Sequence, residues 1–136
     1  MNTQYWLVGA TYGDEGDQSE WFVAGGYWML GWREGDSPEQ AERCKQIKPG
    51  DRIAIKKLQG RGATQITIRH IGVVKGIIPC DYSLGRFVCT VNWLNSEDMD
   101  RSVKFFDFMC GGSIAGPYAY GVDNKTDQWL ESVFRI

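Results

Sequence analysis

A chain of 136 residues, 43% hydrophobic and 24% charged, fits one globular domain, residues 1–136, able to bury its own core. It has no apolar run of about 18 residues and no basic and apolar leader in MNTQYWLVGA, so neither a membrane span nor export is expected, and a cytoplasmic location is. The net charge of −2 is unevenly spread: residues 43–86 carry ten bases and two acids, a net +8, while residues 1–42 carry eight acids and one base, a net −7. Such a division marks a basic face for phosphates, or else is neutralised across the fold.

In chain order, Tyr5–Ala10 reads as a buried first strand. Thr11–Asp17 is a loop. Asp17 with Glu20 has the spacing of a capping box, opening a short helix over about Gln18–Ala24 that Gly25-Gly26 ends. Tyr27–Trp32 is a short strand or turn. Ser37-Pro38-Glu39-Gln40 starts a second helix, running to about Ile47 with Ala41, Cys44 and Ile47 inward. Lys48-Pro49-Gly50-Asp51 turns the chain into the alternating strand Arg52–Lys56, and Leu58–Ala63 forms a basic tip. A long strand over Thr64–Ile78, bent at Gly72 and Gly76, leads through the turn Pro79–Gly85 to a strand over Arg86–Leu94. Asn95–Arg101 is an acidic loop, Val103–Met109 a strand and Cys110–Gly121 a Gly-rich connection. Asp123–Phe134 is a closing helix with Leu130, Val133 and Phe134 inward. The predicted class is α+β: a small curled β-sheet or barrel of about six strands with two or three flanking helices. The order of elements lacks the regular βαβ alternation of a doubly wound fold.

Several chemistries are excluded by what the sequence lacks. Cys44, Cys80, Cys89 and Cys110 form no C-x-x-C pair and His70 is the only histidine, so zinc is not expected and the cysteines read as reduced core or strand residues. His70 has no nucleophile or acid in a recognisable motif, and no phosphate-binding P-loop is present. The acidic run Asp14, Glu15, Asp17 allows a small hydrolase or a divalent-cation site as the rival reading, without the spacing of an EF-hand. The expectation is a binding domain with no cofactor or metal, not an enzyme.

Residues 5–32 hold four of the six tryptophans and three of the six tyrosines, gathered around a Gly/Asp loop. That clustering suggests a slot for a flat ring, and the chemistry that fits is a nucleobase taken from its stack. Extrusion costs a few kcal/mol. Stacking on a ring returns about 1–3 kcal/mol per base, and a buried methyl adds about 1 kcal/mol. Selectivity is therefore modest, and phosphate contacts dominate affinity. The candidate base-binding residues are Tyr12, Asp14, Asp17, Gln18, Trp28, Met29, Trp32 and Trp93; the acids and Gln18 suit an exocyclic amine. Each tryptophan has core packing as its alternative, the better reading for Trp6 and Trp129. Asp17 has helix capping as its alternative. The candidate phosphate contacts are Lys56, Lys57, Arg61 and Arg69.

The segments Gly9-Ala10-Thr11-Tyr12, Gly13–Gln18, Tyr27-Trp28 and Ile47–Lys56 resemble the opening of EVE-like domains of the PUA-like superfamily, relatives of YTH domains. Ile71–Val74, Val91-Asn92-Trp93 and Lys104-Phe105-Phe106 are similar to their later strands. The likeness covers nearly the whole chain and is nearest to the EVE-like domain of some McrB-type restriction GTPases. It implies a small PUA-like fold that flips a modified base into an aromatic cage. The modification would be methylated or hydroxymethylated cytosine or methylated adenine, in DNA rather than RNA, with a modified-RNA reader as the alternative. Trp28 would be the cage wall, Met29 the backbone contact to the base edge, and Asp14, Asp17 or Gln18 the loop contacts. Where YTH domains place a second cage tryptophan, this chain has Tyr82–Phe87 without one, so Tyr82 or Trp32 would take its place. The implied setting is a modification-dependent restriction system, with a GTPase or AAA+ motor and a nuclease as partners. The ending Phe134-Arg135-Ile136 is consistent with a segment cut from a longer protein.

Overall fold

Four consecutive apolar residues cannot all face one side of a sheet, so Tyr5-Trp6-Leu7-Val8 needs cover on both faces. The computed structural model describes residues 3–12, 16–33, 37–60, 62–79, 86–94, 101–104 and 112–134, the side chains of Trp32, Arg33 and Arg101 excepted. In it, strand β1 (Tyr5–Val8) is buried along its whole length. The chain continues as α1 (Ser19–Gly25), β2 (Tyr27–Arg33), α2 (Pro38–Cys44), β3 (Arg52–Leu58), β4 (Gln65–Ile77), β5 (Arg86–Trp93), β6 (Arg101–Lys104), β7 (Ile114–Tyr118) and α3 (Asn124–Phe134). The class is α+β, a curled half-barrel sheet with three helices among the described residues.

The strand order is β2-β5-β4-β3-β1-β7, with β6 added along the first part of β4. β1 lies parallel to β3 and every other pair is antiparallel. Each face of the sheet has its own core. Trp6, Val8, Ile53 and Ile55 point to one, with Phe22 of α1 and Cys44 of α2. Tyr5, Leu7 and Ala54 point to the other, where Leu130 and Val133 of α3 cover them. This two-sided burial is why β3 is buried from Ile53 through Lys56, against the half-buried alternation its sequence suggests.

β4 curls the sheet. Its register slips opposite Ile55/Lys56, leaving Arg69 as the extra residue, and again between Val74 and Gly76. Such bulges bend a strand and re-aim its side chains. The bend expected at Gly76 thus has a bulge beside it. Gly72 serves close approach instead: a Cβ there would lie 2.6 Å from Val91 and 2.9 Å from the Trp93 ring.

Four local expectations need correction. Ile114–Tyr118, expected as connection, is a strand; its Gly116-Pro117 pair is tolerated because β7 is an edge. Ser37 stands at the N-cap of α2 but makes no side-chain cap bond, leaving Pro38 as the effective start signal. Gln18, not Asp17, is the N-cap residue of α1, which ends as expected at Gly26 in the left-handed region. The predicted strand over Val103–Met109 is seen as Arg101–Lys104, and 105–110 lie outside the described residues. Cys44 and Cys89 are buried free thiols, and burial pushes Cys89 up to about 12; Cys80 and Cys110 are outside the described residues. No helix among the described residues is long and apolar enough to cross a membrane.

The turn before β3 buries a carboxylate. Asp51 is 1% exposed and accepts from Gln4 N (3.2 Å), Gln4 Nε2 (2.9 Å), Trp6 Nε1 (3.0 Å), Lys48 N (3.0 Å) and Lys48 Nζ (3.0 Å). Burial works to raise its pKa, but the bonds from Trp6, Lys48 and Gln4 outweigh burial and hold it below the ordinary value. A depressed carboxylate contributes stability that is complete above the unfolded-state pKa of about 3.9. That contribution is lost as pH falls through the lower folded value. Asp51→Ala is expected to cost about 3–5 kcal/mol at neutral pH, read as a lower urea midpoint. The cost should shrink below pH ~4 as the wild type loses the same charge; a pH-independent cost would refute the assignment.

Candidate nucleic-acid interface

Because β1 and β3 are parallel, their C-terminal ends emerge on the same side, and the loop after β1 meets the end of β3 there. Gly9 N–H donates to Ser113 O at 2.9 Å, carrying the β1–β7 pairing one residue further. Lys56 Nζ donates to Gly112 O at 2.8 Å. Between these segments lies a cleft of about 440 Å³ bordered by Gly9, Thr11, Lys56, Lys57, Leu58 and Ser113. That volume is within the range of about 300–1,000 Å³ usual for small-molecule sites. Its borders include two lysines, of which Lys56 gives its ammonium to Gly112 O, and two hydroxyl-bearing residues, Thr11 and Ser113.

The stem of the loop is closed by Tyr12 N–H to Gly16 O (3.0 Å) and Gln18 N–H to Ala10 O (2.7 Å), with Thr11 bridged to Asp17. Asp17 Oδ1 takes the Ser19 amide at 2.8 Å and the Ser19 hydroxyl, and Oδ2 takes Arg69 Nη1 at 2.9 Å. Burial acts to raise the Asp17 pKa, but Ser19 and then Arg69 lower it below the ordinary carboxylate value. The β4 bulge thus aims Arg69 at the loop, which ties that loop to the sheet.

The structure sorts the expected residues into distinct roles. Trp28 is 0% exposed, and its Nε1 donates to Gly9 O at 2.9 Å. The expectation that it stands as an open cage wall is corrected: it supports the cleft floor from the core side. Tyr12 is half-buried and donates its hydroxyl to Met29 O, so the Met29 carbonyl is engaged inside the protein. Trp93 donates to Phe22 O at 3.0 Å and packs over Gly72, away from the cleft lining. Lys56 is only 5% exposed and braces the 112–113 segment as it lines the cleft, whereas Lys57 is exposed. Arg69 and Asp17 bind one another, so neither is an open contact for phosphate or base in this structure. Gln18 is half-buried at the start of α1. Asp14, Arg61, Tyr82 and the Trp32 side chain lie outside the described residues.

Sequence reasoning assigned no role to Trp21, which is 68% exposed on α1. The helix phase would have shown it: adjacent helical positions are about 100° apart, so Trp21 cannot share the inward face of Phe22. In the sequence Asp51 stands only as part of a turn, and Ser113 as part of a connection. Among the described residues no three His, Cys, Asp or Glu side chains gather to hold a metal ion. No family model, curated protein or solved structure matches the chain.

Asp17→Asn should lower global stability by no more than about 1 kcal/mol, since the ion pair is part-exposed. Amide exchange at Tyr12 and Gln18 should speed up while β3 and β4 keep their protection. Unchanged exchange at those two amides would show that the pair does not hold the loop.

Proposed function

We propose that this chain is a nucleic-acid-binding module that receives one nucleotide, bearing a modified base, at the cleft beside the ends of β1 and β3. The observation that carries the reading is the meeting there of the loop after β1 with the lysines of β3. These come from the acidic segment 1–42 and the basic segment 43–86 of the sequence. Lys56 and Lys57 supply positive charge for the phosphate, Thr11 and Ser113 bring hydroxyls, and the loop after β1 meets the base. Phosphate contacts set affinity, and the modification adds a small selective term.

The curled α+β sheet is compatible with a small PUA-like fold, and the resemblance of the loop and the Ile47–Lys56 tract to EVE-like domains supports a reader of methylated or hydroxymethylated cytosine or methylated adenine. DNA is favoured over RNA, and the module would serve as the targeting domain of a modification-dependent restriction system, with catalysis in other domains or subunits. With Trp28 in the core and the Tyr12 ring packed against Phe22, the reading gives the base the polar lining at Thr11 and Ser113 and no stacking ring among the described residues.

Fluorescence anisotropy with matched modified and plain DNA duplexes, and with modified RNA, tests the proposal. The modified DNA should bind about five-fold tighter than plain DNA, the equivalent of roughly 1 kcal/mol for one buried methyl. Lys57→Ala, at an exposed position, should weaken all sequences alike and reduce the slope of log affinity against log salt by about 1. Equal binding to all three ligands, or an unaltered salt slope, would remove the corresponding half of the reading.

A further inference from the structure

β7 is the outermost strand on its side of the sheet, and its outer backbone groups need partners. α2 supplies them at one residue: Ile114 N–H donates to Gln40 Oε1 at 2.9 Å, and Arg43 Nη1 donates to Ile114 O at 3.1 Å. Beyond that residue α2 and β7 border a cleft of about 380 Å³ lined by Glu39, Arg43, Gly112, Gly116, Pro117 and Tyr118. Arg43 is half-buried, and among the described residues its guanidinium donates to a neutral carbonyl. No carboxylate of the described residues pairs with it, although Glu39 borders the same cleft. A guanidinium keeps its charge at every accessible pH and offers donors in a fixed planar fork that matches phosphate. Part-desolvated and with no ion pair among the described residues, it favours an anion arriving from solution. Gly112 borders both this cleft and the one at Lys56, so the two lie against the same residue.

We propose that the cleft between α2 and β7 is a second phosphate-ester subsite, held by Arg43, for the nucleotide next in the strand to the one bound at Lys56 and Lys57. This rests on the nucleic-acid reading above. The same phosphate chemistry is present in a free nucleotide, and the experiment separates the two sources.

The full chain is titrated with labelled single-stranded oligonucleotides extended one nucleotide at a time from either side of the modified base. Inorganic phosphate and the mononucleotide are titrated separately, with the Gly112 and Gly116 amide resonances as the readout. Extension on one side should produce a step in affinity that Arg43→Gln reduces roughly ten-fold, as for loss of a charge-assisted contact. Arg43→Lys should keep part of the step. Glu39→Gln, at an exposed position that does not challenge folding, should enlarge it. If the step is the same in wild type, Arg43→Gln and Glu39→Gln, the subsite is refuted while the nucleic-acid reading stands. If mononucleotide saturates the Gly112 and Gly116 shifts and no extension adds affinity, the site serves free phosphate esters and the strand assignment falls. If no oligonucleotide binds at any length, both the subsite and the reading beneath it fall.

Discussion

One buried carboxylate sets the geometry of this protein. Asp51 draws donors from Gln4, Trp6 and Lys48 to a single point between the start of β1 and the start of β3. A charge out of water must be matched by donors or it is expelled. The set is complete only when the two strands lie side by side in the same direction. Parallel pairing then sends both C-terminal ends to the opposite edge, about 3.3 Å further per residue. There the loop after β1, the lysines of β3 and the segment before β7 are brought together. The cleft thus depends on an interaction at the other end of the same strands.

The aromatic wealth of the first third of the chain is divided by the same arrangement. Trp6 and Trp28 are fully buried, and each spends its indole N–H on a polar group it supports: the Asp51 carboxylate for Trp6, the Gly9 carbonyl for Trp28. A buried indole needs such an acceptor. Trp28 therefore fixes backbone beside the cleft and Trp6 fixes charge at the opposite end of the strands, and neither ring lines the cleft. Trp21 is left in solvent because α1 turns Phe22 to the core.

The segregated charge is likewise resolved in part. Arg69 and Asp17 come from opposite sides of the charge boundary and neutralise one another, which converts a phosphate candidate into a tether for the loop. Lys57 stays exposed, Lys56 is built into the cleft wall, and Arg43 borders a neighbouring cleft. Neutralisation across the fold thus accounts for Arg69 within the +8 segment, and a bulge in β4 helps bring it about.

The positions of both early helices, the alternation through β4 and β5, and the inward face of α3 were legible in the sequence, because periodicity and glycine breaks are local properties of the chain. β7 was not legible, since Gly116-Pro117 weakens its local strand signal and only pairing to β1 makes it a strand. The same holds for the site. The order of residues by itself determined a mixed α and β domain whose rings and acids share the first third and whose bases follow. The tertiary structure decided which ring is core, which cation is tied to an acid and which backbone lines a cleft. Those outcomes depend on contacts such as Trp28 to Gly9 and Lys56 to Gly112, between residues 19 and 56 positions apart, which no local pattern encodes.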